Sequence, residues 1–411
     1  SMKFLDKVGE VDLGSIEDKF VFVEEIRRDE IGLADKLKGA LQSMKSADSL
    51  IETFGLDQVS KDDPAVILFT SGSETVPKGV PLSHENILSN ICGAMEVFDF
   101  GSKDCVYGFL PPFHSFGMTV TTVLPITSGM KAAYYANPNE SRKLARGTKK
   151  WGATIVCGTP SFLAGIFKAS EDDQLNSVRY LIAGAEKAPD DLFRMVDDLG
   201  NGAQLVEGYG ITECSPILSM NRPGQDRDGV GLPSPGVEIR VVKDGTYESI
   251  PTGERGMIIA TGANIFRGYL GENPPNPFHE MEDQRWYVTG DLGYMTENGA
   301  VVISGRKKRF VKVAGEMISL PAMEETLYQK WPISDDGPTV AVEALEKEGQ
   351  RPVMCMFSTT EASIEEANGL LKEAGFSNVG RLTNIRSIPV IPLLGSGKTD
   401  YRTLKKILEE A

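Results

Sequence analysis

From residue 64 onwards the chain alternates short apolar runs with longer stretches whose apolar positions recur every three or four residues. The run over 65–69, bounded by Pro64 and a Ser-Gly-Ser loop, reads as a buried strand. Ser83 then N-caps a helix that places Ile87, Leu88, Ile91, Met95 and Phe98 on one face. Runs over 106–110, 131–135, 154–157, 180–183 and 203–206 read as further strands. The stretches 117–127, 139–150, 161–169 and 189–199 between them read as helices. Such alternation implies right-handed crossovers and a mainly parallel sheet.

Beyond about residue 215 the pattern changes. Glycine and proline become frequent, and short β-like runs at 237–242, 257–261 and 301–304 predict a small, β-rich, barrel-like part attached to the sheet. After Gly305 a second module is expected, with helices over 320–330, 361–374 and 400–410 and strands over 338–344 and 352–358. The fold class is therefore α/β. A large domain over 1–308, with parallel-rich sheets and helices, precedes a small α+β domain over 309–411.

Composition narrows the function classes. Apolar runs are too short to cross a bilayer, and the opening Ser1-Met2 carries no charged-then-apolar signal pattern. Five cysteines without a CxxC pair fit a reducing compartment better than a disulfide framework. Three histidines, none at ligand spacing, argue against a histidine-built metal site. A net charge of −15 argues against nucleic acid as a partner, because a phosphate backbone would be repelled. Two basic islands stand out on this acidic chain, over 306–312 and 402–406; a solvated face is the plainer explanation of both.

The chemistry-bearing segments are few. Directly after the 65–69 strand come Thr70, Ser71, Gly72 and Ser73, followed by Lys78. Hydroxyls, glycine-exposed backbone N–H groups and a cation can wrap a polyphosphate. A polar surface loop would look the same. Gly397-Lys398-Thr399 imitates the end of a P-loop, but the first glycine that motif needs falls on Pro392. Lys398 instead sits in a glycine-loosened loop able to carry a point charge into a distant site. Tyr209, Thr212 and Glu213 lie just beyond a strand, Asp291 is read in a turn, and Arg306 follows another strand. An aspartate can accept from both ribose hydroxyls, an arginine can donate to them, a tyrosine can stack on adenine, and a glutamate suits Mg²⁺. Each has a plain structural explanation singly; their order is the signal.

With these residues in hand, the chain resembles the acyl-adenylate-forming superfamily of acyl-CoA synthetases, adenylation domains and luciferases. The matching segments are TSGS-x-x-x-PKG at 70–79, PPFHSFG at 111–117, AGAE at 183–186 and YGITE at 209–213. TGD at 289–291, GRKKRFVKVAGE at 305–316 and GSGK at 395–398 complete the set. Details of the last two segments look closest to bacterial acyl-[acyl-carrier-protein] synthetases, including the ligase half of bifunctional 2-acylglycerophosphoethanolamine acyltransferases.

The resemblance implies an ATP- and Mg²⁺-dependent reaction in two steps. A fatty carboxylate attacks the α-phosphate, and a phosphopantetheine thiol of acyl carrier protein, or of CoA, then takes the acyl group. It implies that Thr70, Ser71, Gly72, Ser73 and Lys78 hold phosphates, and that Gly184, Ala185, Glu186 and Tyr209 frame adenine. Thr212 and Glu213 would serve phosphate and Mg²⁺, and Asp291 and Arg306 the ribose. Lys398 would bridge carboxylate and α-phosphate, His114 would lie beside the acyl entrance, and Arg309 would take the hinge position.

Departures set further expectations. Thr75 stands where many relatives carry glycine, and Glu74-Thr75 makes the loop tip stiffer and more acidic. Only 69 residues precede Thr70, whereas relatives have on the order of 100 more. A chain shortened at its start is therefore expected, one that binds nucleotide yet turns over poorly. The class alternative is a non-catalytic nucleotide-binding part of a larger acyltransferase or ligase. A cytoplasmic location is expected, with any membrane association arising through an upstream domain.

Overall fold

The computed structural model describes residues 25–70, 77–171, 173–313, 316–334, 337–346, 352–393 and 398–410. Ser71, Gly72, Ser73, Glu74 and Thr75 of the expected phosphate loop lie outside these. The chain divides into two compact units at Asp63/Pro64. In the first, helix α1 (Leu33–Gln42) is followed by α2 (Ala47–Thr53), whose N-cap Ser46 accepts from the Ser49 N–H. Leu33, Leu37 and Leu41, spaced by four, form one exposed face of α1.

The second unit is built on a seven-stranded sheet. Its order is β4 (Lys131–Tyr134), β3 (Cys105–Gly108), β5 (Ile155–Gly158), β6 (Tyr180–Ala183), β7 (Gln204–Gly210), β8 (Ile217–Met220) and β9 (Leu232–Pro233). The first five are parallel and the last two antiparallel. Successive residues of each strand feed opposite cores. Val106, Ile155 and Cys157 enter one cluster, with Ile87 and Ile91 of α3 (His84–Val97). Cys105, Tyr107, Val156 and Leu181 enter the other, against α5 (Ser141–Trp151), α6 (Pro160–Ala169) and α7 (Asp190–Asp197). A sheet covered on both faces must be apolar at every position, hence continuous runs rather than alternation. Between β3 and β4, a π-helix (Gly117–Val123) runs into α4 (Leu124–Ser128).

Two sequence expectations are corrected. The run over 65–69 is strand β1 (Pro64–Thr70), but it pairs antiparallel with β2 (Lys78–Ser83), outside the parallel sheet. Only Leu68 of it is buried, with Ile67 and Phe69 exposed. An apolar run reports β-propensity; it does not report which sheet the strand joins. Asp291 lies not in a turn but inside the long strand β13 (Gln284–Met295). That strand is interrupted by polar residues and Gly290, which hides it from hydrophobic periodicity.

β13 is the spine of a five-stranded antiparallel sheet. It pairs with β11 (Gly256–Gly262), β12 (Phe278–Met281) and β14 (Val301–Arg306), and β10 (Val237–Val242) pairs with β11. Next come the hairpin β15 (Phe310–Val313)/β16 (Glu316–Ser319) and α8 (Leu320–Leu327). The last sheet orders β17 (Val340–Leu345), β18 (Val353–Ser358) and β19 (Asn384–Ser387). Its two faces are covered separately, by α8 and α9 (Ile364–Glu373) on one side and α10 (Tyr401–Glu409) on the other.

Candidate active site

The candidate residues gather at the ends of β7 and β14, beside the middle of β13. Register brings Asp291 directly opposite Arg306. The Arg306 Nε stands 3.2 Å from the buried Asp291 Oδ1, and the Tyr209 hydroxyl donates to Asp291 Oδ2 at 2.6 Å. One buried carboxylate is thus held from two sides while Arg306 stays largely exposed at the rim. Asp291 pushes the Arg306 guanidinium above its ordinary value. Burial first, and the Asp291 charge next, raise the Tyr209 hydroxyl well above the tyrosine range, so it remains a donor. Gly305, with φ +137°, allows the chain to leave β14 beside Phe310.

Glu213 sits on a single 3₁₀ turn (Thr212–Cys214) that polar side chains pin from behind. Asn264 Nδ2 donates to the Cys214 and Ile217 carbonyls at 2.9 and 3.0 Å, and Asn90 Nδ2 to Ile217 at 2.8 Å. The Phe266 N–H donates to the Glu213 carbonyl. Asn86 closes a capping box with Ser83 at the start of α3 and donates to the Ala263 and Ile265 carbonyls. Gly210 is required by contact, since a Cβ there would lie 2.4 Å from the Pro216 carbonyl oxygen.

The Glu213 carboxylate is buried and accepts from the Tyr269 hydroxyl at 2.7 Å. The Lys78 ammonium lies 5.0 Å from the Tyr269 ring centroid. Lys78 is in turn paired in register with Thr70 across β1 and β2. Thr212 receives a hydrogen bond from Ser115 at 3.4 Å. Lys78, Tyr269, Glu213 and Thr212 therefore form a second polar group beside the Tyr209–Asp291–Arg306 set. No group of three or more His, Cys, Asp or Glu suited to a metal occurs among the described residues.

The segment from Gly184 to Glu186 follows β6. Ala185 takes φ +74°, the left-handed region, at about 1 kcal/mol for a non-glycine residue. Gly184 packs against Phe116. Glu186 accepts from the Ser161 hydroxyl at 3.0 Å, and burial raises its carboxyl above the ordinary range. The segment is anchored by Glu207, which accepts from the Ala188 N–H at 2.8 Å and meets the Arg227 Nε at 3.3 Å.

Lys398 enters this site from the other end of the chain. It is half-buried, and its ammonium feels Arg306, Glu186 and Asp291 at once. Burial, and next Arg306, lower its pKa against the pull of the two carboxylates. His114 is pushed down to about 4, by burial first and by Lys398 second, so it is neutral near pH 7. Its Nδ1 accepts from the Phe116 N–H at 3.3 Å, which leaves the proton on Nε2. Thr70, Lys78, Gly184, Ala185, Glu186, Tyr209, Thr212, Glu213, Asp291, Arg306, His114 and Lys398 thus all have described positions.

Sequence reasoning missed Tyr269, Ser115, Ser161 and Glu207. Tyr269 lies between Gly268 and Gly271, both at positive φ, and that flanking pair was the one available signal. The basic island over 306–312 also reads differently in the structure. Arg306 faces Asp291, Lys307 pairs with Asp244 at 2.9 Å, and Arg309 is buried against Glu324 at 3.0 Å. Of these charges only that of Arg309 is largely enclosed, while Arg306, Lys307, Lys308 and Lys312 remain exposed.

A family model described as AMP-binding enzyme matches residues 16–270. A long-chain-fatty-acid–CoA ligase of Bacillus subtilis (strain 168) is 30% identical over 349 residues, which is 80% of this chain and 60% of the relative. A medium-chain fatty-acid–CoA ligase of Escherichia coli (strain K12) is 28% identical over 385 residues, 90% of this chain and 66% of the relative. The chain spans between 48% and 66% of the length of such curated relatives. Among solved structures, ATP-bound MatB from Rhodopseudomonas palustris superposes with a TM-score of 0.73 at 24% identity, covering 85% of this chain and 69% of that one. The o-succinylbenzoate coenzyme A synthetase of Bacillus subtilis, in complex with ATP and magnesium ion, gives 0.74 at 20% identity, covering 84% and 71%. At such identities the superpositions speak for the fold, an α/β enzyme fold with a sheet-rich large part. With the family model spanning well over half of its length, the chain belongs to the AMP-binding enzyme family.

Proposed function

We propose that the chain activates a fatty carboxylate with ATP, forming acyl-AMP and pyrophosphate, and then passes the acyl group to a phosphopantetheine thiol. The observation that carries this reading is the half-buried Lys398 ammonium, whose charge acts together with those of Arg306, Asp291 and Glu186 and on His114. The step needs a cation where negative charge gathers on a five-coordinate phosphorus. A preorganised ammonium there stabilises the transition state more than the ground state.

In this reading the Tyr209–Asp291–Arg306 set receives the ribose, with Asp291 accepting from its hydroxyls. Thr70 and Lys78 serve the phosphates, the role the resemblance also gives Ser71, Gly72 and Ser73, and Gly184, Ala185 and Glu186 border the adenine. Thr212 meets phosphate beside Glu213. Mg²⁺ fits this donor set: a single buried carboxylate, one oxygen of which is engaged by Tyr269, suits an ion that arrives on phosphates and keeps most of its waters. Bound there, it would neutralise phosphate charge. His114, neutral, borders the acyl entrance. Residues 309–411 act as a small domain that carries Lys398 to a large domain over 1–308.

The acceptor thiol belongs to acyl carrier protein or to CoA. The carrier-protein reading rests on the likeness of the segments at 305–316 and 395–398. The CoA reading is supported by relatives named as CoA ligases. Thioester formation with each acceptor, following acyl-AMP loss and thioester gain, separates them. Activity with neither acceptor, despite acyl-AMP formation, would refute the transfer step.

A further inference from the structure

Three residues beyond Arg306 and three beyond Lys398, the same two segments meet a second time. The Arg309 guanidinium carbon stacks over the Tyr401 ring at 3.4 Å from its centroid. Both residues converge on Glu324 of α8. Arg309 Nη2 donates to Glu324 Oε1 at 3.0 Å, and the Tyr401 hydroxyl donates to Glu324 Oε2 at 2.9 Å. Glu324 Oε1 also accepts from the Val342 N–H at 2.7 Å, while Arg309 Nη2 donates to the Val342 carbonyl at 3.0 Å. Glu324 is buried, and the Arg309 side chain nearly so.

Removing a cation from water is expensive unless it is paired and hydrogen-bonded. The arrangement is therefore fixed in geometry: moving Tyr401 uncovers the guanidinium and strips Glu324 of a donor. Tyr401 is the first residue of α10. Its N-cap Asp400 is tied by its own N–H to the Pro392 carbonyl at 2.7 Å and by its side chain to the Thr403 hydroxyl at 2.9 Å. Thr399 bridges to Leu393. Little slack remains between Tyr401 and Lys398. On the other side, the 3₁₀ turn Lys307–Arg309 leaves equally little between Arg309 and Arg306.

We propose that Arg309, Glu324 and Tyr401 are positioning residues that form a latch, one that sets Lys398 against Asp291 and Arg306 for carboxylate activation. Arg309, Glu324 and Tyr401 all lie within 309–411, so the latch fixes where Lys398 stands on the part that carries it and, through the short 306–309 link, where it stands relative to Arg306. Burial works against the Arg309 charge, and Glu324 and Tyr401 more than offset it, keeping the guanidinium charged throughout the working pH range. The role rests on the adenylation reading above, and its test separates the two.

In the full chain, Tyr401→Phe removes the hydroxyl that reaches Glu324 and keeps the ring under Arg309. Adenylate formation is expected to fall about 10- to 100-fold, the scale for a misplaced reacting group. Thiolysis of supplied acyl-AMP is expected to change less than about twofold, a split that a general loss of stability does not produce. A second readout is independent of turnover: acetic anhydride labelling of Lys398 against pH, followed by peptide mass spectrometry. The wild-type lysine is expected to titrate below an ordinary lysine, and the variant's midpoint to rise towards about 10.4. Glu324→Gln is expected to act in the same direction. An unchanged Lys398 titration in a folded Tyr401→Phe protein overturns the latch. Absence of acyl-AMP with the wild type overturns the adenylation reading instead, and the labelling then decides the latch alone.

Discussion

The two halves of the candidate site are held by different means. Tyr209, Glu213, Asp291 and Arg306 stand on strands and a pinned turn, where backbone ladders and the amides of Asn86, Asn90 and Asn264 fix them. Lys398 stands on a short segment held by few contacts, namely the Thr399–Leu393 bridge, the Asp400 N–H on the Pro392 carbonyl, the Asp400 cap and the contacts of Tyr401. The first arrangement is a receptor that exists whether or not a reaction is under way. In the proposed function the second is a charge brought to that receptor, by contacts that a few substitutions can undo. Such a division suits a site that needs the cation in one step and a clear path in the next.

The largest expected effect is on the delivered charge. Lys398→Ala should lower acyl-adenylate formation by about 10³-fold, the upper range for losing one preorganised stabilising group, and leave transfer from supplied acyl-AMP intact. Equal loss in both half-reactions would erase the distinction between the halves. Next comes the receptor. Asp291→Ala should weaken nucleotide use by about 100-fold in kcat/KM, because Arg306 and Tyr209 lose their shared acceptor. The loss should appear mainly in KM for ATP, and a loss confined to kcat would assign Asp291 to the chemistry rather than to binding. Tyr209→Phe leaves Arg306 on Asp291 and should raise KM for ATP by about 10-fold or less, the equivalent of one hydrogen bond.

Much of the receptor was legible in the sequence. Strands β3, β5 and β6 announce themselves as apolar runs because both faces are buried, and the motifs at 183–186, 209–213 and 305–306 fall at strand ends. Asp291 was found as a residue but placed in a turn, since β13 carries polar residues and Gly290 where periodicity expects apolar ones. The strand at 65–69 was found but assigned to the wrong sheet, because its partner β2 contains Pro81 and reads as loop. The roles of Tyr269, Ser115 and Glu207 do not show in the sequence, because they come from contacts with partners 56, 97 and 19 residues away. The basic run over 306–312 was seen as surface charge. Only the fold shows that Arg309 and Glu324, 15 residues apart, cancel in the interior.

The smallest expected effect concerns pH and His114. Its pKa falls from 6.5 to about 4 on folding, so the folded state favours the neutral ring. The associated stability is complete above pH 6.5 and is lost as pH falls through 6.5 towards 4, up to about 3 kcal/mol. Chemical unfolding of wild type and His114→Gln should therefore diverge over that window, with the wild type losing stability faster. Parallel curves would show that His114 titrates normally and that Lys398 does not press on it.

The central claim is that the carboxylate attacks phosphorus in a site completed by Lys398. Incubating the full chain with ATP, Mg²⁺ and a fatty acid carrying ¹⁸O in both carboxylate oxygens tests it most directly. After addition of thiol, mass spectrometry is expected to show acyl-AMP and then AMP carrying one ¹⁸O, with pyrophosphate released. Unlabelled AMP, or bound ATP that never yields acyl-AMP, would contradict it.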